Sequence, residues 1–328
     1  MKILVIRFSS IGDLTQSLSI PALIKENHPE AEVHFLTRSD FTLLLNNNPQ
    51  VKKVWAIDRK KGFSEVFAIS KELRKENFDL IYDAHNNLRS FFIRHLVSAK
   101  TKIVKPMSRF KRFLLLQFKI NLFEKPFSGQ RDLLKPLEKI GIKFRLPKPP
   151  LIFFDTATEN KISALLSEHH LSRYIVIVPS AAYALKRWPM AHWKKLIELN
   201  NDKKIVILAG PTDTFTEELN QYSNIINLTG ITSLLESAAV INRAQAIVTN
   251  DTGMLHFAEQ LGKKTIALMG PAPFGFPSRT STVIMEKNLN CRPCSKHGQG
   301  PCVNPKFQQC MVDLTPTMVH EHLERLWL

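Results

Sequence analysis

Lys2-Ile-Leu-Val-Ile-Arg-Phe8 runs directly into Ser9-Ser10-Ile11-Gly12-Asp13. The first run is short and β-rich, while from Gly12 to Asn27 apolar residues recur at helical spacing. A strand handing over to a helix through a glycine turn predicts the first βα unit of a parallel sheet. Working outward, Ala31–Thr37 and Lys53–Ile57 read as strands, Phe63–Glu76 as a helix, and Asp79–Asp83 as a strand. From Leu88 to about Leu146 the pattern is less regular and more basic, with helical spacing at Ser90–Val97 and Asp132–Ile140.

Leu146-Pro-Lys-Pro-Pro150 then interrupts the alternation and marks a linker. Beyond it, Tyr174–Val178, Lys204–Ala209, Ile225–Leu228, Ala246–Thr249 and Thr265–Met269 read as strands. Helices are predicted at Ala191–Asn200, Thr214–Gln221, Ser233–Ile241, Gly253–Leu261 and finally Thr315–Leu326. The fold class is α/β, with two Rossmann-like doubly wound domains, 1–150 and 151–328, facing a central cleft where a ligand should bind.

A chain of 328 residues accommodates two such domains. Its 44% hydrophobic and 23% charged content sets disordered and fibrous classes aside. Ile3–Ile6 is too short for a signal-peptide core, and no stretch approaches the roughly 20 apolar residues of a membrane helix. A cytoplasmic location is expected. The formal charge of +16 favours polyanionic partners: a phosphorylated substrate, an anionic membrane or nucleic acid. Much of it falls at Lys100, Lys102, Lys105, Arg109, Lys111, Arg112 and Lys119, interleaved with Phe110, Phe113, Leu114, Leu115, Leu116 and Phe118. This segment reads either as a solvated amphipathic cover or as a surface docking on acidic lipid headgroups.

Four motifs sit where strands end. Ser9, Ser10 and Gly12 form a turn that allows close backbone approach, and Asp13 falls in the first helical turn, as a helix cap or as a residue facing the ligand. The dinucleotide fingerprint G-x-G-x-x-G is missing. Asn250-Asp251-Thr252-Gly253-Met254-Leu255-His256 opens a helix whose N–H groups, with the Thr252 hydroxyl, suit a phosphate. His256 is placed to reach a phosphate oxygen or, alternatively, to tie helix to loop. Lys186-Arg187-Trp188-Pro189 lies in a loop where cations can neutralise a diphosphate, and Ala209-Gly210-Pro211-Thr212-Asp213 offers a carboxylate for ribose hydroxyls.

In this order and spacing, S-S-I-G-D, K-R-W-P-x-x-x-W, A-G-P-x-D and N-D-T-G-x-x-H resemble glycosyltransferase family nine over nearly the whole chain. Its best-known members are the ADP-heptose:lipopolysaccharide heptosyltransferases. The resemblance implies a GT-B architecture, an acceptor-binding N-terminal and a donor-binding C-terminal domain, and inverting transfer without a catalytic metal. It implies Asp13 as general base, Lys186 at the donor diphosphate, and Asp251, Thr252, Gly253 and His256 in the donor-binding loop and helix start. Asp213 falls near a ribose-contacting acid, although the match can slip to Thr214 or Glu217. The implied partners are an ADP-sugar and a lipid A-linked core oligosaccharide on the inner-membrane face.

All four cysteines lie in Cys291-x2-Cys294-x7-Cys302-x7-Cys310. In a cytosolic chain, four clustered thiols suit structural zinc or iron better than stable disulfides, with free thiols or a transient disulfide as the other readings. Two further functions remain open on sequence. One is a family member with another sugar nucleotide or a protein acceptor. The other is a basic nucleic-acid-binding protein with a Cys-metal knuckle, which leaves the strand-end motifs unexplained.

Overall fold

The computed structural model describes residues 1–328, and these divide into two compact units. The first comprises Met1–Ser108 and Gly129–Phe153; the second comprises Arg109–Ser128 and Phe154–Leu328.

In the first unit β1 (Lys2–Ile6), β2 (Glu32–Arg38), β3 (Lys53–Ile57), β4 (Phe78–Asp83) and β5 (Ala99–Val104) form one parallel sheet in the order β3-β2-β1-β4-β5. Ile3, Leu4, Val5 and Ile6 are all fully buried, as a central parallel strand covered on both faces requires. The helix expected from Gly12 to Asn27 is two: α1 (Ile11–Ser17) and α2 (Ser19–Asn27), joined at Leu18. Across the sheet, α3 (Gly62–Arg74) and α4 (Leu88–Leu96) bury Val66, Leu73 and Ile93 on Leu4, Ile6 and Ile81. Asn87 caps α4, its carboxamide oxygen accepting from Ser90 N at 2.9 Å. After α5 (Arg109–Phe118), the helix expected at Asp132–Ile140 appears as α6 (Gly129–Leu134) followed by a 3₁₀ segment, Lys135–Ile140, with Pro136 near its start. Proline at this position ends regular α-hydrogen bonding.

In the second unit, α7 (Thr156–Glu168) precedes β6 (Tyr174–Val178), α8 (Met190–Leu199), β7 (Lys204–Ile207), β8 (Ile225–Asn227), α9 (Leu234–Arg243) and β9 (Ala246–Asn250). Then follow α10 (Gly253–Gln260), β10 (Thr265–Met269), β11 (Thr282–Glu286), α11 (Gln309–Val312) and α12 (Pro316–Trp327). The parallel order is β11-β10-β9-β6-β7-β8. The predicted helix Thr214–Gln221 is instead a 3₁₀ segment, Thr214–Leu219, in which the Thr216 hydroxyl donates to Asp213 O. Short polar side chains that bond nearby backbone favour such turns over α-helix.

The segment Arg109–Ser128, expected within a first domain of residues 1–150, packs instead with the second unit. Phe123 and Phe127 lie edge-on to Phe274 at 5.2 and 5.1 Å, and the Arg112 guanidinium sits 5.1 Å from the same ring. The Ser128 hydroxyl meets that of Ser278 at 2.7 Å, and Lys119 donates to Pro293 O. Phe274 thus collects three side chains from a segment about 150 positions earlier, a contact without a local sequence signature.

Candidate active site

In each sheet the strand order reverses at one point, where crevices for ligands form at the carboxyl edge. In the first unit this lies between β1 and β4. Ser10 caps α1, and Asp13 Oδ2 accepts from Ser10 N (3.2 Å) and Ser10 Oγ (3.1 Å). The same oxygen lies 2.6 Å from Arg7 Nη2. Arg7, at the end of the buried β1 run, is itself 8% exposed and donates Nη1 to Ala84 O at 2.6 Å. Asp13 is therefore both a helix cap and an oriented carboxylate, with a side chain 49% exposed at the sheet edge.

Arg7 escaped the sequence reading. Its signal was a charged residue closing an otherwise apolar strand. His85 was also missed. It follows β4, packs edge-on to Phe8 at 5.4 Å, and its imidazole is pushed down to about 4 by burial, with the Arg7 charge adding to the effect. Neighbouring Asp83 is fully buried and serves structure: it accepts from His85 N and Asn86 N and pairs with Arg94 at 3.3 Å.

In the second unit the reversal lies between β6 and β9, and the Lys186 and Asn250–His256 motifs follow those two strands. Lys186 Nζ lies 2.6 Å from Asp251 Oδ2, both side chains being largely buried. Asn250 stitches the two loops together: its Oδ1 accepts from Trp188 N (3.1 Å) and its Nδ2 donates to Pro179 O (2.8 Å). Thr252 caps α10, its hydroxyl oxygen accepting from Met254 N at 3.0 Å, and Gly253 is the first helical residue. Ser9, Ser10 and Gly12 take the turn between β1 and α1.

Two glycines outside the sequence motifs close over the Lys186–Asp251 pair. A Cβ on Gly275 (φ +100°) would meet Asp251 Oδ1 at 2.6 Å, and one on Gly298 (φ +83°) would meet Lys186 Cγ at 2.8 Å. Both positions combine left-handed backbone with close approach, which only glycine tolerates without strain.

His256 is buried, and its Nδ1 engages Glu259 at 3.0 Å. Glu259 in turn accepts from Ser278 N and Arg279 N, so this histidine ties helix to loop. Asp213 Oδ2 accepts from Gly210 N (3.1 Å) and its Oδ1 meets Arg187 Nη2 (3.2 Å). Its carboxylate braces the turn after β7.

The four cysteines line one small cavity with Leu185, Pro271, Arg292, Asn304, Gln308 and Gln309. The Cys291 sulphur accepts from Asn304 Nδ2 (3.4 Å) and the Cys302 sulphur from Gln308 N (3.3 Å). Burial and the neighbouring Cys291 and Cys302 push the Cys294 thiol up; burial pushes that of Cys310 up to about 11. A tighter cluster, with ligand atoms within 4.8 Å of one another, occurs at Glu32, His34 and Glu76. There Lys2 and Lys53 already pair with Glu76, and Trp55 Nε1 donates to His34 Nδ1 at 3.1 Å, so it is an ion-pair network at the amino edge. The cysteines have the better donor chemistry for zinc or iron.

Residues 66–302 match the model of glycosyltransferase family 9 (heptosyltransferase). The chain is 27% identical to lipooligosaccharide heptosyltransferase 2 of Haemophilus influenzae, over 99% of each chain. It is 26% identical to lipopolysaccharide heptosyltransferase 2 of Escherichia coli K12, over 100% of this chain and 99% of that one. Among solved structures, a family 9 glycosyltransferase from Veillonella parvula superposes with a TM-score of 0.82 at 20% identity, over 99% and 97% of the two chains. The Escherichia coli ADP-heptose LPS heptosyltransferase II superposes at 0.72 and 21% identity, over 100% and 98%. The architecture is accordingly of the GT-B type, two parallel-sheet α/β domains. The chain belongs to glycosyltransferase family 9, the heptosyltransferases.

Proposed function

We propose that the chain transfers heptose from an ADP-heptose donor to the Kdo/heptose inner core of lipopolysaccharide, with inversion at the anomeric carbon. The observation carrying this reading is the full-length likeness to relatives named lipopolysaccharide or lipooligosaccharide heptosyltransferase 2. It favours this substrate pair over another sugar nucleotide or a protein acceptor. Family membership also displaces the nucleic-acid-binding alternative.

In this reading the acceptor hydroxyl oxygen bonds to the anomeric carbon as the bond to the donor phosphate oxygen breaks. Asp13 takes the hydroxyl proton, its carboxylate held by Arg7 and Ser10. The departing ADP carries the negative charge. Lys186 meets it: an ammonium has three N–H donors, so the contact with Asp251 leaves others for phosphate oxygens. Gly253 at the start of α10 and the Thr252 O–H add to that positive potential, which takes the place of a divalent ion. His256, through Glu259, and Asp213, through Arg187 and Gly210, position the donor-side loops. The first domain takes the acceptor and the second the donor.

Cys291, Cys294, Cys302 and Cys310 would hold a structural zinc or iron, ordering a loop that packs on Lys186 through Gly298. No helix is long and apolar enough to cross a membrane. A cytoplasmic enzyme reaches a lipid A-linked acceptor by peripheral association with the anionic inner-membrane face. The basic Lys100–Lys119 region suits that role, since Phe110, Phe113 and Phe118 on α5 are exposed among its cations.

Calorimetric titration with ADP, with UDP and GDP as controls and no divalent metal, tests the donor assignment. Selective ADP binding is expected. Equal binding of all three, or of none, contradicts it.

A further inference from the structure

A second surface of the first unit also joins exposed aromatic side chains to cations. On α3, Phe63 and Phe67 are one helical turn apart and are 41% and 54% exposed, while Val66 between them points into the core. On α4, Leu88 and Phe91 are 62% and 43% exposed. Half-buried Phe92 joins the two helices: its ring lies 5.5 Å from Phe63 and 5.8 Å from Phe91, edge-to-face, and 6.5 Å from Phe67. Four phenylalanines therefore form one contiguous patch, with exposed Leu88 one helical turn before Phe91 and Phe92 on α4. Lone exposed apolar residues need no explanation, but a contiguous aromatic patch implies something that covers it.

The surrounding charge identifies the occupant. Arg59, Lys60 and Lys61, all exposed, immediately precede α3. Arg89 lies on α4, which carries no acidic residue; Arg94, 5.5 Å from the Phe91 ring, is instead turned inward to pair with buried Asp83. On α3, Glu65 pairs with Lys61 at 3.6 Å and Glu72 with Lys75 at 2.7 Å, so Arg59 and Lys60 carry the excess positive charge beside the patch. An apolar patch rimmed by cations matches an anionic lipid surface: rings enter the acyl boundary and cations meet the headgroup phosphates. A second copy of the same chain, docked face to face, would set these cations against each other.

The position is equally informative. Arg59–Lys61 and Phe63 follow the carboxyl end of β3, and Leu88 follows that of β4. Asp13 follows β1 at the same edge of the same sheet. We propose that Phe63, Phe67, Leu88 and Phe91, with Arg59–Lys61, dock this edge on an anionic bilayer. Docking there brings the Asp13 edge to the headgroup layer, where the sugar of a lipid-linked acceptor lies. This step rests on the proposed lipid-linked acceptor; the docking itself does not.

The test is co-sedimentation of the full chain with vesicles of phosphatidylglycerol and phosphatidylcholine that contain no acceptor. The variants are Phe67→Ser/Phe91→Ser, Lys60→Ala/Lys61→Ala and, on the other surface, Phe110→Ser/Phe113→Ser. The wild type should bind anionic vesicles. The Phe67/Phe91 variant should lose about tenfold or more in partitioning, and the double lysine variant roughly thirtyfold, since each basic residue near such a surface is worth about 1 kcal/mol. ADP binding should be unchanged in both, which checks their folding. Unchanged vesicle binding in the Phe67/Phe91 variant overturns the proposal, as does loss confined to the Phe110/Phe113 variant. Conversion of a dimer to a monomer by Phe67→Ser/Phe91→Ser, with vesicle binding intact, also overturns it by making the patch a subunit interface. Because no sugar is transferred in this assay, failure of the heptosyltransferase reading leaves its outcome unaffected.

Discussion

Lys186 Nζ and Asp251 Oδ2 lie 2.6 Å apart, joining the loop after β6 to the loop after β9, with both side chains largely withdrawn from water. A cation held in this way is pre-positioned, so little ordering is required when a diphosphate arrives. Lys186→Ala should weaken ADP binding about tenfold to hundredfold, the worth of one charge-assisted hydrogen bond. It should also destabilise the fold, because Asp251 is left buried and unpaired. Asp251→Asn, which keeps the cation, should weaken ADP binding less. Calorimetry and thermal melts on both single variants and the double variant check this; equal ADP affinity in Lys186→Ala and wild type excludes the diphosphate contact.

Arg7 Nη2 holds the Asp13 carboxylate at 2.6 Å, and in the proposed mechanism Asp13 alone takes the proton. Asp13→Asn should keep ADP affinity and lose transfer by about 10²- to 10⁴-fold, the usual contribution of a positioned base. Arg7→Met should lower kcat with little change in donor KM. The conservative change Arg7→Lys should recover part of the loss because it restores the cation. No recovery in Arg7→Lys, with the fold intact, argues for guanidinium geometry over charge.

His85 carries a pH dependence of stability. Its folded value is depressed to about 4 from the ordinary 6.5, chiefly by burial, so the unfolded chain binds the extra proton first as pH falls. Stability contributed by the neutral ring is complete above about pH 6.5 and is lost progressively toward pH 4. The total is roughly 3 kcal/mol, a shift of about 2.5 pH units at 1.36 kcal/mol per unit. Denaturant titrations of wild type and His85→Gln across this window check it; parallel curves contradict the assignment.

Gly275→Ala adds a methyl group against Asp251 in a left-handed backbone conformation. It should cost about 1–3 kcal/mol of stability and weaken ADP binding, since Asp251 and with it Lys186 must shift. Gly300 also has positive φ, but a Cβ there meets nothing within 4 Å, so Gly300→Ala should cost strain without changing ADP affinity. Comparing the two separates backbone strain from displacement of the ion pair.

Metal analysis of protein purified without chelator should find about one zinc or iron per chain if the cysteines are filled as proposed. Cys291→Ser/Cys294→Ser should remove it and, through the Gly298 contact with Lys186, weaken ADP binding. A metal-free wild type with full ADP affinity contradicts that role.

The parts of the fold legible in sequence are those whose residues face apolar surroundings on both sides. Lys2–Ile6 and Tyr174–Val178 declare themselves because central parallel strands must be continuously apolar. Of the edge strands, β3 and β8 were read from their β-branched and aromatic runs, while β5 (Ala-Lys-Thr-Lys-Ile-Val) escaped because its alternating lysines leave no apolar run, and β11 escaped as well. At the site, the motifs at Asp13, Lys186 and Asp251–Gly253 were visible because each stands at a strand-to-helix turn. Arg7, Gly275 and Gly298 were not. Their importance arises from contacts with residues elsewhere in the chain, which periodicity and local spacing do not encode. For His256 the motif left two readings, a phosphate contact or a tie between helix and loop, and the structure adds the Nδ1 contact with Glu259 that the motif does not encode.

The most direct measurement is transfer itself. ADP-heptose and a lipid A-linked inner-core acceptor are incubated with the wild type and Asp13→Asn, divalent metal is withheld, and the product is read by mass spectrometry. Addition of one heptose by the wild type, with release of ADP and no addition by Asp13→Asn, is the predicted result. Equal addition by both proteins, or none by a wild type that binds ADP, contradicts it.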